Sequence, residues 1–155
     1  MLRRVRRLAD KIIRDSFPLL QGRRICFIVA PFRFYALSLW IPHIIRLVII
    51  STRVKQMTDF VITGIIAHEL CHQERYLTMG TTRYLRFAVG YLFSDKARTE
   101  EERATDFLTI EKGYARELHE LTLISRADAH HKTIIGNYLT PEEIIGHALK
   151  TGKWN

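Results

Sequence analysis

The stretch 62–72 constrains the fold of this chain more than any other. Ile62, Ile65, Ile66 and Leu70 recur at the spacing of one helix face and continue into the sequence His68-Glu69-Leu70-Cys71-His72. Residues four apart on a helix lie on the same side, so the two imidazoles can reach one common point. The apolar spacing predicts a buried helix, and a polar cluster on a buried helix needs a partner inside the protein.

The five residues 68–72 also match the pattern H-E-x-x-H. In this pattern the two histidines bind zinc, and the glutamate holds a water at the metal and takes its proton. The alternative is a helix whose histidines are exposed or hydrogen-bonded in the core. The pattern fixes only two residue types over five positions, but the apolar residues on either side favour a metal site.

Catalytic zinc usually has three protein ligands, so the sequence after His72 should supply a third. Arg75 and Thr78 occupy the positions where metzincins have glycine and histidine, which excludes that class. Glu102 follows on a predicted helix, where it shares a face with Asp106. We expect Glu102 to be the third ligand, and Asp106 to accept a hydrogen bond from the outer ring nitrogen of His68.

Two alternatives to Glu102 as a ligand remain open at this stage. Glu101 could bind the metal instead, although it has Thr105 rather than Asp106 four residues later. Thr99 and Glu102 also fit a capping box, in which Glu102 would bond the start of its own helix and no metal would be present.

Three segments of the chain resemble the gluzincin metallopeptidases, and most closely the small minigluzincins. They are Ala67–His72, the Glu102-x-x-Thr105-Asp106 step running on to Gly113, and, less firmly, Tyr138–Glu143. The first motif is moderately specific alone, and the pair is strong.

The resemblance implies a zincin-like fold, with a small three-stranded sheet packed on an active-site helix and a glutamate helix. It implies Zn²⁺ bound by His68, His72 and Glu102, and Glu69 as the general base of a peptidase acting on a peptide or protein substrate. Some members of the family are latent because a terminal segment lies in the cleft. Segments 1–20 and 124–155 are the candidates for such a role here.

The remaining patterns predict one α+β domain over 1–155. The first half of the chain is predicted to form a basic amphipathic helix at 2–15 and buried strands at 24–30, 33–41 and 44–50. Helices are predicted from Thr58 or Asp59 to about Tyr76 and from Thr81 or Thr82 to about Phe93, followed by a loop at 94–96 and a long helix from Thr99 through Leu118. A short C-terminal helix is capped by Thr140, with Pro141 and Glu143 in its first turn.

An edge strand within 33–41 would bind an extended substrate. Candidate donors to the oxyanion are Tyr114, His119, His130, His131 and Tyr138.

The chain has a formal net charge of +8 and a pI near 9.8. This charge allows contact with nucleic acid or an anionic membrane through the arginines of the first helix, although a solvated basic face packed on the domain is the simpler interpretation.

Two cysteines are too few for a disulfide framework, and no unbroken apolar run follows Arg7. We therefore expect a cytoplasmic protein without a signal peptide. A regulatory zinc-binding protein without activity is the main alternative to a peptidase, and the sequence leaves the oligomeric state open.

Overall fold

The computed structural model describes residues 1–128 and 135–154, and this part of the chain is α+β, with six α-helices and one three-stranded mixed sheet. The elements are α1 (Leu2–Ser16), β1 (Ile25–Ala30), β2 (Ala36–Ile41), β3 (Ile45–Ser51), α2 (Asp59–Met79), α3 (Thr81–Phe93), α4 (Asp95–Glu111), α5 (Ala115–Ala127) and α6 (Pro141–Thr151). Short 3₁₀ helices follow α1 (Pro18–Leu20), follow β3 (Thr52–Gln56) and precede α6 (Ile135–Asn137).

Strand β3 lies in the centre of the sheet, parallel to β1 and antiparallel to β2. Phe27, Val48 and Ser38 lie side by side across the three strands and are buried against the helices. Their neighbours along each strand point to the opposite face. The prediction of buried strands is therefore correct for one face only, because a continuous apolar run does not show whether both faces are covered.

Strand β2 is one edge of the sheet and begins at Ala36, three residues later than predicted. The backbone of residues 33–35 bends, although the carbonyl of Tyr35 still accepts from the backbone N–H of Ser51 at 2.9 Å. At its other end, β2 turns into β3 through His43, whose φ of 63° is the only positive value among non-glycine residues in the described ranges. His43 is thus a turn residue.

Helix α1 packs on the domain through its apolar face, where Val5 and Ala9 are fully buried. Arg4 and Arg7 both pair with Asp59 in the first turn of α2, and Arg4 also donates to the carbonyl of Met57. The carboxylate at the N-terminus of α2 therefore neutralises part of the basic face. This is the packed, solvated helix that the sequence favoured.

The predicted helix from Thr99 through Leu118 is wrong, because the structure has two helices there. Helix α4 begins at Asp95, where the Ser94 side chain accepts from the backbone N–H of Ala97, so the predicted loop at 94–96 is also wrong. Helix α4 ends at Glu111 because Gly113 adopts a φ of 95°, which favours glycine and breaks the helix. Thr99 lies inside α4, which removes the capping-box alternative for Glu102.

Helices α2 and α5 approach very closely at Gly64. A Cβ atom placed on Gly64 would lie 2.6 Å from the backbone oxygen of Glu117. Only a glycine permits this separation, since real Cβ atoms do not come so near to a backbone atom. The contact fixes α5 beside the first half of α2, where α5 forms one wall of the cavity described below.

The C-terminal helix α6 has the predicted capping box, in which Thr140 accepts from Glu143 N and Glu143 accepts from Thr140 N. Gly152 ends the helix in the left-handed conformation. Ile144 and Ala148 join a second hydrophobic cluster with residues of α4 and α5, so α6 belongs to the folded core. In residues 1–128 and 135–154 no helix combines the length and apolarity that crossing a bilayer would require.

Candidate metal centre

Helices α2 and α4 bring two histidines and one glutamate to a common point. Oε2 of Glu102 lies 3.1 Å from Nε2 of His68 and 3.4 Å from Nε2 of His72. All three side chains are buried, and their ligand atoms lie within 4.8 Å of one another. Among the described residues, this is the one group of His, Cys, Asp or Glu side chains with the geometry to share a metal ion.

Two of the separations among these atoms are compatible with tetrahedral coordination of a metal ion such as zinc. Ligand atoms at about 2 Å from a zinc ion in a tetrahedron are about 3.3 Å apart, close to the two distances between the imidazoles and Glu102. Both histidines present Nε2 to the common point and Nδ1 to an outer carboxylate. Such an outer partner is typical of histidines that bind metal, because it fixes the tautomer that leaves Nε2 free to coordinate.

Asp106 lies beside the outer ring nitrogen of His68. Its Oδ1 atom lies 2.9 Å from Nδ1 of His68, while its Oδ2 atom accepts from the backbone N–H of Leu139 at 2.9 Å. The carboxylate is fully buried. It therefore connects the first histidine to the segment that leads into α6.

Glu101 is the outer partner of His72, a role that the sequence did not suggest. Its Oε1 atom lies 3.2 Å from Nδ1 of His72, and both of its oxygens accept from the guanidinium group of Arg75. The carboxylate thus lies on the far side of the His72 ring from Glu102. The geometry separates the two adjacent glutamates, with Glu102 at the common point and Glu101 behind His72.

Tyr91 on α3 is a further member of the site that the sequence reasoning missed. Its hydroxyl group donates to Oε1 of Glu102, the oxygen that does not face the histidines. Tyr84, Phe87 and Tyr91 recur at helical spacing and form one aromatic face of α3, in contact with Tyr76 of α2. That spacing is visible in the sequence and indicates which face of α3 is buried.

The charges of the cluster shift the pKa values of its members strongly. Burial alone would lower the pKa of His72, but the carboxylates of Glu102 and Glu101 outweigh it and raise the pKa to about 9. Asp106 and Glu102 likewise outweigh burial and hold the pKa of His68 well above its usual value. Burial opposes ionisation of Glu102, but His72 and His68 lower its pKa well below the usual range. The cluster thus attracts a positive charge, whether protons or a metal ion.

Glu69 lies on α2 beside the group formed by His68, His72 and Glu102, at the wall of a cavity. Its Oε2 atom is buried and has no hydrogen-bond partner among the described residues, and burial raises the pKa of the carboxyl group. An unpartnered buried carboxylate oxygen costs free energy unless a ligand or water satisfies it. The unpartnered Oε2 atom of Glu69 is therefore in a position to exchange a proton with a molecule bound in the cavity.

The cavity has a volume of about 80 Å³ and lies between the start of β2, α2 and α5. His68, Glu69 and Asp106 line its polar side. Its apolar walls are formed by Phe34, Ala36, Ile65, Leu118, Leu121 and Ile135, and Tyr138 also lines it. The cavity thus connects the general-base candidate to an apolar space.

The candidate oxyanion donors have different positions. Tyr138 lines the cavity, and its ring centroid is 5.9 Å from that of His68. The Tyr114 hydroxyl bonds Ser16 on α1, and the His119 ring packs edge-on against Trp154. His130 and His131 lie outside the described residues. Of the three candidates that the structure describes, Tyr138 is the one that lines the cavity beside His68 and Glu69.

Cys71, between the two histidines in sequence, is fully buried, and Thr109 Oγ1 lies 3.4 Å from its Sγ atom. Burial raises the pKa of this thiol to about 12, so it is a neutral packing group.

No family model matches this chain, and neither a curated protein nor a solved structure matches it. The resemblance to gluzincins therefore rests on the two sequence motifs.

Proposed function

We propose that this chain is a zinc-dependent endopeptidase of the gluzincin type. One observation carries the proposal: Oε2 of Glu102 lies 3.1 Å from Nε2 of His68 and 3.4 Å from Nε2 of His72, two separations compatible with a tetrahedral zinc site. The Oε2 atom of Glu69 lies beside this site and has no hydrogen-bond partner among the described residues. It supports a hydrolytic reaction over purely structural zinc binding, because a structural zinc site needs no carboxylate that can take up a proton.

His68, His72 and Glu102 would hold the zinc ion, which when bound would supply Lewis-acid activation of a water and of the scissile carbonyl group. Glu69 accepts the proton of the attacking water at its carboxylate and delivers it to the leaving amine. Its raised pKa favours the first of these transfers, because a carboxylate whose pKa is nearer neutrality is a stronger base toward the water. Asp106 and Glu101 hold the two imidazole rings in the orientation that this arrangement needs.

The substrate backbone would pair with the edge strand β2. The backbone N–H of Trp40 already donates to the Tyr84 hydroxyl group, so the end of the strand beside α3 is occupied. Successive residues of a strand direct their main-chain N–H and C=O groups to alternate sides, so those of Ala36 and Ser38 point to the same outer side as those of Trp40. The edge at Ala36 adjoins the cavity, which would receive an apolar side chain of the substrate.

The segment that precedes α6 is part of the proposal as a source of latency. Tyr138 lines the cavity beside His68, and the backbone N–H of Leu139 donates to Asp106. Deleting α6 is a poor test, because Ile144 and Ala148 are core residues and their loss would unfold the domain. The sharper test is Tyr138→Ala, which opens the cavity and keeps α6. A rise in turnover would indicate latency, and a fall would indicate that Tyr138 assists the reaction.

The decisive experiment combines metal analysis with a peptide assay. The purified protein should hold about one equivalent of zinc and cleave a library of quenched fluorescent peptides. A chelator should abolish the cleavage, and added zinc should restore it. Zinc binding without hydrolysis of any peptide, in both the wild type and Tyr138→Ala, would instead support a regulatory zinc-binding protein. The absence of zinc would remove both proposals.

A further inference from the structure

The face of the sheet that points away from the helices is mostly apolar. We call it the open face, and it includes eight apolar side chains from all three strands: Cys26, Ile28, Leu37, Leu39, Ile41, Ile45, Leu47 and Ile49. By the same alternation, Ala30 and the buried Ser51 lie at one end of this face. None of the eight apolar side chains belongs to either hydrophobic cluster of the described part of the chain. Ile28, Leu39 and Ile41 are 38%, 37% and 48% exposed. A sheet with one solvated face normally carries polar residues there, so an apolar open face marks an interaction surface.

The segment of the chain that forms the sheet carries only basic charged residues, one of which, Arg53, is paired with Asp128. Between Asp15 and Asp59 the chain has six basic residues and no acidic residue, and this stretch contains all three strands and their connections. Arg23 and Arg24 are exposed at one end of the sheet, where they share a shallow cleft with His43 and Ile44. Ile44, at the tip of the turn between β2 and β3, is 79% exposed. At the other end of the sheet, Arg33 is also exposed.

We propose that the open face docks on an anionic lipid surface. An apolar surface rimmed by arginines is the combination that binds such a membrane peripherally, because the apolar side chains enter the boundary of the acyl chains and the cations meet the headgroups. The exposed side chain of Ile44 and the guanidinium groups of Arg23 and Arg24 lie at the same end of the sheet, so apolar and cationic groups could meet the membrane together.

A second copy of this chain fits the open face less well. Three strands about 4.8 Å apart and six residues long at about 3.3 Å each cover about 300 Å², well below the roughly 800 Å² per partner of a stable interface. Two copies joined through this face would also bring rims of the same positive charge together, whereas anionic lipid headgroups neutralise them.

Helix α1, which the sequence suggested as the membrane-binding element, is a weaker candidate. Its apolar face is buried in the core, and Arg4 and Arg7 are paired with Asp59. Helix α3 also exposes four large apolar side chains, Leu85, Val89, Leu92 and Phe93. The first three therefore provide a matched control for the open face.

The native cysteines allow a test in the full chain. Cys26 lies on the open face and is partly exposed, whereas Cys71 is fully buried. An environment-sensitive fluorophore such as NBD should therefore label Cys26 alone. Vesicles of phosphatidylglycerol and phosphatidylcholine should shift its emission to the blue and raise its intensity, and vesicles of phosphatidylcholine alone should do so much less. High salt should reduce the difference between the two compositions.

Flotation of the unlabelled protein with the same vesicles tests which residues carry the binding. The triple substitution Ile28→Thr, Leu39→Thr and Ile41→Thr keeps residues that favour strands and should weaken binding at least about tenfold, because three side chains lose buried apolar groups. Arg23→Gln with Arg24→Gln should reduce the preference for phosphatidylglycerol. The control Leu85→Gln, Val89→Gln and Leu92→Gln should bind as the wild type does.

Three results would overturn the proposal. The first is the absence of flotation with anionic vesicles at low salt. The second is loss of binding from the α3 control with full binding by the open-face variant. The third is a stable dimer in sedimentation velocity that the open-face variant converts to a monomer, which would make a second copy the occupant. Circular dichroism melting of each variant separates lost binding from lost folding.

Discussion

Glu101 is bound to Arg75 by two hydrogen bonds of 2.9 and 2.6 Å, which hold its carboxylate behind the ring of His72. The next residue, Glu102, directs one oxygen toward both histidines. Two adjacent glutamates on α4 thus have different surroundings, and these surroundings distinguish the proposed metal ligand, Glu102, from Glu101, which is proposed to orient His72.

The first prediction compares these two glutamates. Glu102→Gln should weaken zinc retention severely, because an amide oxygen replaces the anionic ligand at the common point. Glu101→Gln should weaken it by about 10- to 100-fold, the usual cost of losing a partner behind a metal-bound histidine. Competition with a chromogenic zinc chelator measures both affinities. The assignment fails if the loss from Glu101→Gln exceeds that from Glu102→Gln.

The second prediction concerns the general base. Glu69→Gln should retain zinc and abolish peptide hydrolysis, because an amide cannot take the proton of the water. Its melting temperature should equal or exceed that of the wild type, since the substitution removes a buried carboxylate whose Oε2 atom is unpartnered among the described residues. Zinc analysis, calorimetry and the peptide assay on one preparation check all three points. Turnover at the wild-type rate would exclude Glu69 as the base.

The third prediction concerns Tyr91, whose hydroxyl group donates to Glu102. If it fixes the orientation of that carboxylate, Tyr91→Phe should lower zinc affinity by about tenfold and keep the fold, because the ring is retained. Phe87→Leu on the same face of α3 is the control for altered packing. An unchanged zinc affinity with a reduced kcat would instead give Tyr91 a direct contact with the substrate.

The fourth prediction uses two glycines. Gly64→Ala should destabilise the protein by about 1–3 kcal/mol, because the new methyl group would overlap the backbone of Glu117 and push α5 away from α2. Gly146→Ala, in α6 with open space around it, should stabilise the protein by about 0.5–1 kcal/mol through helix propensity. Urea denaturation gives both values. Equal effects of the two substitutions would contradict the close approach of α2 and α5.

The fifth prediction is a pH dependence of the metal-free protein. The pKa of His72 is raised from 6.5 to about 9 in the fold. A raised histidine pKa stabilises the folded state fully below pH 6.5, and this contribution is lost as the pH rises through about 9. The melting temperature of chelator-treated protein should therefore fall across this range, and saturating zinc should remove most of the fall. A melting temperature that rises over the same range would contradict the buried cluster.

Local signals in the sequence predicted most of the helices. Thr58 and Thr140 cap α2 and α6 as expected, and Gly80 lies at the end of α2. The break at Gly113 was not predicted, because the apolar spacing continues from α4 into α5 and periodicity alone does not reveal a left-handed glycine. Ser94 was interpreted as a loop residue for a similar reason, since a serine cap and a serine in a loop look alike in sequence.

The candidate site was predictable where the spacing within one helix decided it. His68 and His72 lie four residues apart on α2, and Asp106 follows Glu102 by the same interval on α4. The partners of Glu101 and Tyr91 depend on how α2, α3 and α4 cross, which local patterns do not specify. The open face was hidden for the same reason, because only the packed structure shows on which side the helices lie.

Strand β2 belongs to both surfaces of the molecule that matter here. Ser38 on one side bonds the carbonyl group of Glu69, and Leu37 and Leu39 on the other side belong to the open face. Inserting or deleting one residue in this strand would exchange the two sides, turning the serine outward and the leucines toward α2, unless a β-bulge absorbed the change. One shift of register would therefore disturb the cavity wall and the open face together.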